Sequence, residues 1–146
     1  MIMSSIDSEK LCRAALAGET MNDGNPWFFV MIYSRDIMEQ TASLADIWDI
    51  DADLLVVCFA SMTEEQSVLD TTLAMGRMMQ AVQEEGLCVR LERWLSRVFE
   101  SPAYSGLAGA MGVPAGYFCI GGFSVDESER GKNDVKHSED VFAVIR

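Results

Sequence analysis

The residues that could perform chemistry are few and widely spaced. The single histidine, His137, lies in a polar segment beside Lys136, a setting typical of a solvated side chain. Dinucleotide-binding, phosphate-loop, zinc-protease and nucleophile-elbow motifs are all missing. The cysteines are too far apart for a zinc or redox motif, and we expect buried, reduced thiols at Cys12, Cys58, Cys88 and Cys119. We therefore predict no metal site, and the motifs leave the catalytic residues unknown.

Composition restricts the class of protein and its partners. A chain of 146 residues with 49% hydrophobic residues is long enough and apolar enough to form one domain, residues 1–146. The net charge of −12 argues against nucleic acid and against anionic membrane surfaces as partners. No apolar run reaches the roughly 18 residues of a membrane helix, and no secretory signal is recognisable. We therefore expect a cytoplasmic protein.

The hydrophobic pattern predicts helices and strands that do not alternate strictly, which favours an α+β fold. Buried strands are predicted at 27–33, 53–59 and 117–123, and a last short strand or arm at 141–145. Helices are predicted at 7–17, from a cap at Ser34 to about residue 47, after a capping box at 63–66, at 91–99 and at 105–111. The long helix after the capping box would be ended by Gly86, with its core face formed by Val68, Leu69, Leu73, Met75, Met79 and Val82. Residues 126–139 read as a polar loop.

Several segments, taken in order, resemble the FMN-dependent nitroreductase family, of which this chain looks like an N-terminally shortened and divergent member. Residues 23–30, Asp-Gly-Asn-Pro-Trp-Phe-Phe-Val, are similar to the family's Asn-x-Gln-Pro-Trp-x-Phe-Val. A buried strand, a helix ending at Gly86-Leu87, a Val-Pro turn at 113–114 and a strand at 118–123 follow, as they do in the family. The resemblance covers residues 7–146. It implies a central, mostly antiparallel sheet flanked by helices, and FMN bound at the interface of a homodimer.

The resemblance also implies which residues bind the cofactor. In the family, polar side chains of the first loop reach the flavin, which points to Asp23, Asn25 and Trp27. Residues 90–94 are similar to the segment Pro-Ile-Glu-Gly-Phe, whose Gly N–H lies near flavin N5, so Glu92 and Arg93 take the places of Glu and Gly. A Lys/Arg pair that binds the FMN phosphate corresponds to Lys132 and Lys136. The alternatives are a plain turn into a strand, the core face of a helix and a solvated loop.

These correspondences lead to two hypotheses about function. The first is an FMN-dependent NAD(P)H oxidoreductase, nitroreductase-like, that reduces a small organic acceptor. The second is a degenerate, non-catalytic dimer of the same fold that binds a partner or small ligand. The second is favoured by Arg93 in place of Gly, and by the lack of a counterpart to the family's opening Arg-Arg-Ser-x-Arg segment. For either, the apolar end of the chain, residues 140–146, is expected to pack across the dimer interface or on the edge of its own sheet.

Overall fold

Four strands and five α-helices form the part of the chain that a computed structural model describes, which comprises residues 7–18, 26–127, 143, 145 and 146. The helices are α1 (Ser8–Leu16), α2 (Arg35–Ser43), α3 (Ser67–Gln83), α4 (Trp94–Phe99) and α5 (Leu107–Ala110), with a 3-10 turn at Pro102–Tyr104. The strands are β1 (Trp27–Ile32), β2 (Leu54–Ser61), β3 (Cys88–Leu91) and β4 (Tyr117–Asp126). None of the helices in these ranges has the length and apolar character needed to cross a membrane.

The strands form one sheet in the order β1-β2-β4-β3, and each neighbouring pair is antiparallel. β2 lies in the middle, and every one of its residues is buried, as its run of Leu, Val, Cys and Phe requires. Helices α1 and α3 cover one face of the sheet, and α2, α4 and α5 cover the other. The prediction of an α+β fold with an antiparallel sheet between helices is confirmed.

The two outer strands differ from the prediction. β1 was expected to be buried, but it is an edge strand and five of its six residues are only partly buried. β3 was not predicted, and its last residue, Leu91, was assigned to a helix that in fact begins at Trp94. The Leu91 side chain is 51% exposed and belongs to no helix face. A four-residue strand is too short to show the alternation that identifies strands in a sequence, which explains the error.

The caps of the helices were predicted with mixed success. Ser34 caps α2 as expected, since its Oγ accepts a hydrogen bond of 3.2 Å from the Ile37 N–H. α2 ends at Ser43, earlier than predicted, and Asp46 then adopts a left-handed conformation with φ 62°. The capping box at 63–66 does not form. Instead, Gln66 is left-handed with φ 63°, and α3 begins at Ser67 without a side-chain cap.

The buried face of α3 matches only part of the apolar face that its periodicity indicates. Val82 is buried as predicted, and Met75 and Met79 are partly buried against the core. The buried residues of the helix are Ser67, Asp70, Thr71, Ala74, Met78 and Val82. The Thr71 hydroxyl donates to the Ser67 carbonyl at 2.6 Å and lies 3.2 Å from the Pro26 carbonyl oxygen. The helix therefore packs small polar side chains against the sheet. The predicted core residues Val68, Leu69 and Leu73 are instead 47%, 49% and 50% exposed.

At the end of the chain, Ala143 and Ile145 are exposed and outside any strand, and the rest of 141–145 lies outside the described residues.

The packing of α4 on the sheet depends on Gly122 in β4. A Cβ at this position would overlap the Val56 carbonyl oxygen in β2 and would lie 2.7 Å from Leu95 Cδ1 in α4. Only a residue without a side chain therefore allows β2, β4 and α4 to approach as closely as they do.

We predict that Gly122→Ala lowers the free energy of unfolding by about 3 kcal/mol, because backbone atoms must move to relieve the overlap. Urea denaturation followed by tryptophan fluorescence measures this change. The control is Gly109→Ala in α5, where nothing lies within 4 Å of the added Cβ; it should be neutral or stabilise by up to about 1 kcal/mol. Equal stability of the two variants would contradict the packing argument.

Candidate functional site

Three of the seven predicted cofactor-binding residues lie in the described part of the chain, namely Trp27, Glu92 and Arg93. Asp23, Asn25, Lys132 and Lys136 lie outside it. The structure does not bring Trp27 and Glu92 together, because they lie on opposite faces of the sheet. Trp27 packs with the α1 and α3 cluster, and its ring centroid is 5.8 Å from that of Phe29. Glu92 and Arg93 follow β3 and lead into α4.

The Glu92 side chain is held at both carboxylate oxygens. Its Oε1 accepts a hydrogen bond of 2.8 Å from the Trp94 indole N–H, and its Oε2 accepts one of 2.6 Å from the Ser124 hydroxyl. The Glu92 backbone N–H donates to the Gly122 carbonyl at 2.9 Å. Ser124 is 2% exposed, so this short bond is made in a protected environment. These bonds fix the segment that connects β3 to α4.

Arg93 is the N-cap residue of α4, and its side chain is exposed. Within the described part of the chain, no group accepts a hydrogen bond from the Arg93 backbone N–H. Gly121 lies beneath the same segment with φ 124°, and a Cβ there would be 3.9 Å from the Glu92 carbonyl oxygen. The backbone therefore offers an N–H donor beside a stretch of strand that has no side chain. The alternative from the sequence, that 91–99 supplies a core face, also holds for Trp94, Leu95 and Val98, which are buried.

A cavity of about 370 Å³ lies beside Glu92, which is one of its lining residues. It is bounded by the loop between α2 and β2 and by polar groups of β3 and β4, and its lining consists of Ile47, Asp49, Ile50, Asp51, Arg90, Glu92, Trp94 and Ser124. The Arg90 guanidinium lies 4.0 Å from Asp126. Sequence reasoning did not find Ser124 or the Trp94 indole as partners of Glu92. Recognising them requires the pairing of β3 with β4, and β3 itself was missed.

Burial disfavours the thiolate form of two cysteines of the sheet, Cys58 and Cys119. Burial raises the pKa of the Cys119 thiol to about 12, and burial also raises the pKa of Cys58 well above its usual value. The Cys119 backbone N–H donates to Glu100 Oε2 at 2.8 Å, which ties β4 to the end of α4. All four cysteines are free, and the expectation of burial is confirmed for Cys58, Cys88 and Cys119 but is wrong for Cys12, which is exposed.

A second feature is an apolar surface along one side of α3. Met62 is 66% exposed, and Val68, Leu69 and Leu73 are each about half exposed. Met62, Val68 and Leu69 line an open groove of about 600 Å³ together with Phe118 of β4. We call Met62, Val68, Leu69 and Leu73 the α3 surface. Large apolar patches of this kind usually mark a binding surface.

Comparison with solved structures places this architecture among the nitroreductases. An FMN-bound nitroreductase from Bacteroides fragilis superposes with a TM-score of 0.79 at 12% identity, over 100% of this chain and 90% of that one. An FMN-bound nitroreductase from Desulfitobacterium hafniense gives a TM-score of 0.77 at 14% identity, over 100% and 89%. A putative NADH oxidase from Clostridium acetobutylicum gives 0.74 at 15% identity, over 100% and 91%. No family model and no curated protein matches the sequence. The chain therefore has the nitroreductase fold, as the sequence resemblance predicted.

We predict that Ser124→Ala lowers the free energy of unfolding by about 1.5 to 3 kcal/mol, because it removes a hydrogen bond to a carboxylate and leaves that oxygen without its donor. Thermal or urea denaturation measures the loss. Ser105→Ala, at an exposed serine before α5, is the matched control and should change stability by less than about 0.5 kcal/mol. A loss no greater in Ser124→Ala than in the control would mean that the Glu92 carboxylate is not held as described.

Proposed function

We propose that the protein is an FMN-dependent NAD(P)H oxidoreductase that works as a homodimer and reduces a small organic acceptor. The observation that carries the proposal is the match over the whole chain to FMN-bound nitroreductases, combined with a fixed Glu92-Arg93 segment at the position that resembles the family's flavin-contacting one. The fold alone does not define a reaction, so the segment is needed for the argument.

The residues present fit the edge of a flavin ring. The Arg93 backbone N–H has no acceptor within the described part of the chain, so its donor capacity remains for a ligand. We assign this N–H as the donor to the flavin, with Glu92 holding it in position through Ser124 and Trp94. FMN, when bound, supplies hydride chemistry between NAD(P)H and the acceptor. The protein's own contribution is to orient the ring and to donate a hydrogen bond to it.

The other end of the cofactor is assigned from the sequence. We propose that Lys132 and Lys136 bind the phosphate, since a phosphate needs charge-assisted donors and this chain is otherwise strongly acidic. Asp23, Asn25 and Trp27 are proposed to lie along the rest of the cofactor. The Trp27 side chain faces α1 and α3, so only its backbone can take part from the side where Glu92 lies.

The α3 surface supports a homodimer. Leu69 and Leu73 expose about half of their side chains, although the periodicity of the helix is that of a core element. Burying such side chains contributes about 25 cal/mol per Å² of apolar surface, which is the main driving force for association. The Ile145 side chain, 96% exposed in the single chain, is a second apolar group that a partner subunit would cover.

A non-catalytic dimer that binds a partner or small ligand is the second candidate. The observation that favours it is Arg93, a large residue where the family's segment has Gly. FMN binding distinguishes the two candidates.

We predict that the purified protein binds FMN with a micromolar or weaker dissociation constant, measured by titration and flavin fluorescence. Lys132→Ala combined with Lys136→Ala should weaken FMN binding by about 3 kcal/mol or more while weakening riboflavin binding much less, because riboflavin has no phosphate. No fluorescence change at about 100 µM FMN would remove the cofactor and favour the second candidate. Equal losses for the two ligands would show that the lysines do not bind the phosphate.

We predict that the protein sediments near twice 16.2 kDa at micromolar concentration. Leu69→Glu combined with Leu73→Glu should shift it to the monomer, because charges would replace buried apolar groups at the interface. Ile37→Glu on α2 is the matched control, since Ile37 is also partly exposed, at 43%, but lies on the other side of the sheet. A folded wild-type monomer, or an α3 variant that still dimerises, would contradict this assignment of the interface.

A further inference from the structure

The segment from β3 to the end of α4 has an unusual arrangement of charge. It carries three arginines, Arg90, Arg93 and Arg97, in a chain whose net charge is −12. Its two carboxylates bind neutral donors rather than these arginines. Glu92 accepts from the Trp94 indole and the Ser124 hydroxyl, and Glu100 accepts from the Cys119 backbone N–H. Both carboxylates of the segment are thus engaged in hydrogen bonds that hold the fold together.

Arg93 is the cation that this arrangement leaves available beside the Glu92-Arg93 segment. Arg90 lies 4.0 Å from Asp126, and Arg97 is one helical turn further along α4, where it lines a cavity with Asp46. The Arg93 side chain is exposed, and no carboxylate in the described part of the chain lies within 4.0 Å of its guanidinium. The same residue supplies the backbone N–H that we assign to the flavin ring. Its side chain and the reacting edge of the ring therefore belong to one site.

We propose that Arg93 makes the enzyme selective for acceptors that carry a carboxylate. This inference rests on the proposed function. The planar guanidinium offers paired N–H donors that match the two oxygens of a carboxylate, which a lysine ammonium does not. The FMN phosphate is assigned to Lys132 and Lys136, so Arg93 is available to the second substrate. In so acidic a protein, one unpaired cation at the site attracts an anionic substrate that the rest of the surface repels.

The experiment compares 4-nitrobenzoate with 4-nitrobenzamide, which differ in charge but hardly in shape. The ratio of kcat/KM for the acid to kcat/KM for the amide is measured in the wild-type protein and in Arg93→Gln, Arg93→Lys and Arg97→Gln. We expect Arg93→Gln to lower this ratio about tenfold, mainly through KM, because a charge contact with the carboxylate is present both before and during the reaction. Arg93→Lys should recover part of the preference, and Arg97→Gln should leave the ratio within about twofold of the wild type.

Binding without turnover gives an independent measurement. Calorimetric titration of the FMN-saturated protein with benzoate and with benzamide should show a preference for benzoate that Arg93→Gln removes. An unchanged acid-to-amide ratio in Arg93→Gln, an equal fall in Arg97→Gln, or a change in the preference for NADPH over NADH in place of the acid-to-amide ratio would overturn the inference while leaving the oxidoreductase intact. Failure of the wild-type protein to bind FMN would overturn the proposed function, and the inference with it.

Discussion

The approach of β2, β4 and α4 at Gly122 is the constraint on which the rest of the site depends. Because this residue has no side chain, the Val56 carbonyl and the Leu95 side chain can both lie against it. Its own carbonyl accepts the Glu92 N–H, so the first residue after β3 continues the pairing with β4. From there the Glu92 carboxylate reaches Ser124 on the neighbouring strand and Trp94 on the helix. Gly122, in the middle of the sheet, thus helps to fix the position of Glu92 and of the Arg93 backbone N–H that follows it.

α3 meets a different requirement, because it must pack on the sheet and also present an apolar surface. Small and polar side chains such as Ser67, Thr71 and Ala74 face inward, and Thr71 satisfies its hydroxyl on a backbone carbonyl. These small side chains pack beside the larger Met78 and Val82, which are also buried, and Leu69 and Leu73 remain on the outside. A helix that is apolar on more than one side is usually buried on more than one side. In the proposed dimer, the second burial is provided by the partner subunit.

The sequence was sufficient for the fold class and for the elements whose signal is strong. The all-buried run of β2 and the Ser34 cap were predicted correctly because each depends on residues close in the chain. β3 and the start of α3 were missed because tertiary contacts decide them. β3 exists by pairing with β4, and Gln66 is left-handed although the local pattern indicates a capping box. The partners of Glu92 were beyond sequence reasoning for the same reason, since Ser124 lies 32 residues away and meets Glu92 only through that pairing.

In the proposed enzyme, Glu92 has a structural role and its neighbour Arg93 has a binding role. Each oxygen of the Glu92 carboxylate accepts a hydrogen bond from a neutral donor, and no ion pair joins it to Arg93. Had Glu92 paired with Arg93 instead, the Ser124 hydroxyl would be buried without its acceptor, at a cost of about 1 to 3 kcal/mol. The observed pairing is therefore the one that satisfies the buried hydroxyl, and an exposed guanidinium beside an open N–H is its consequence. The proposed preference for anionic acceptors therefore rests on how the protein satisfies its own buried polar groups.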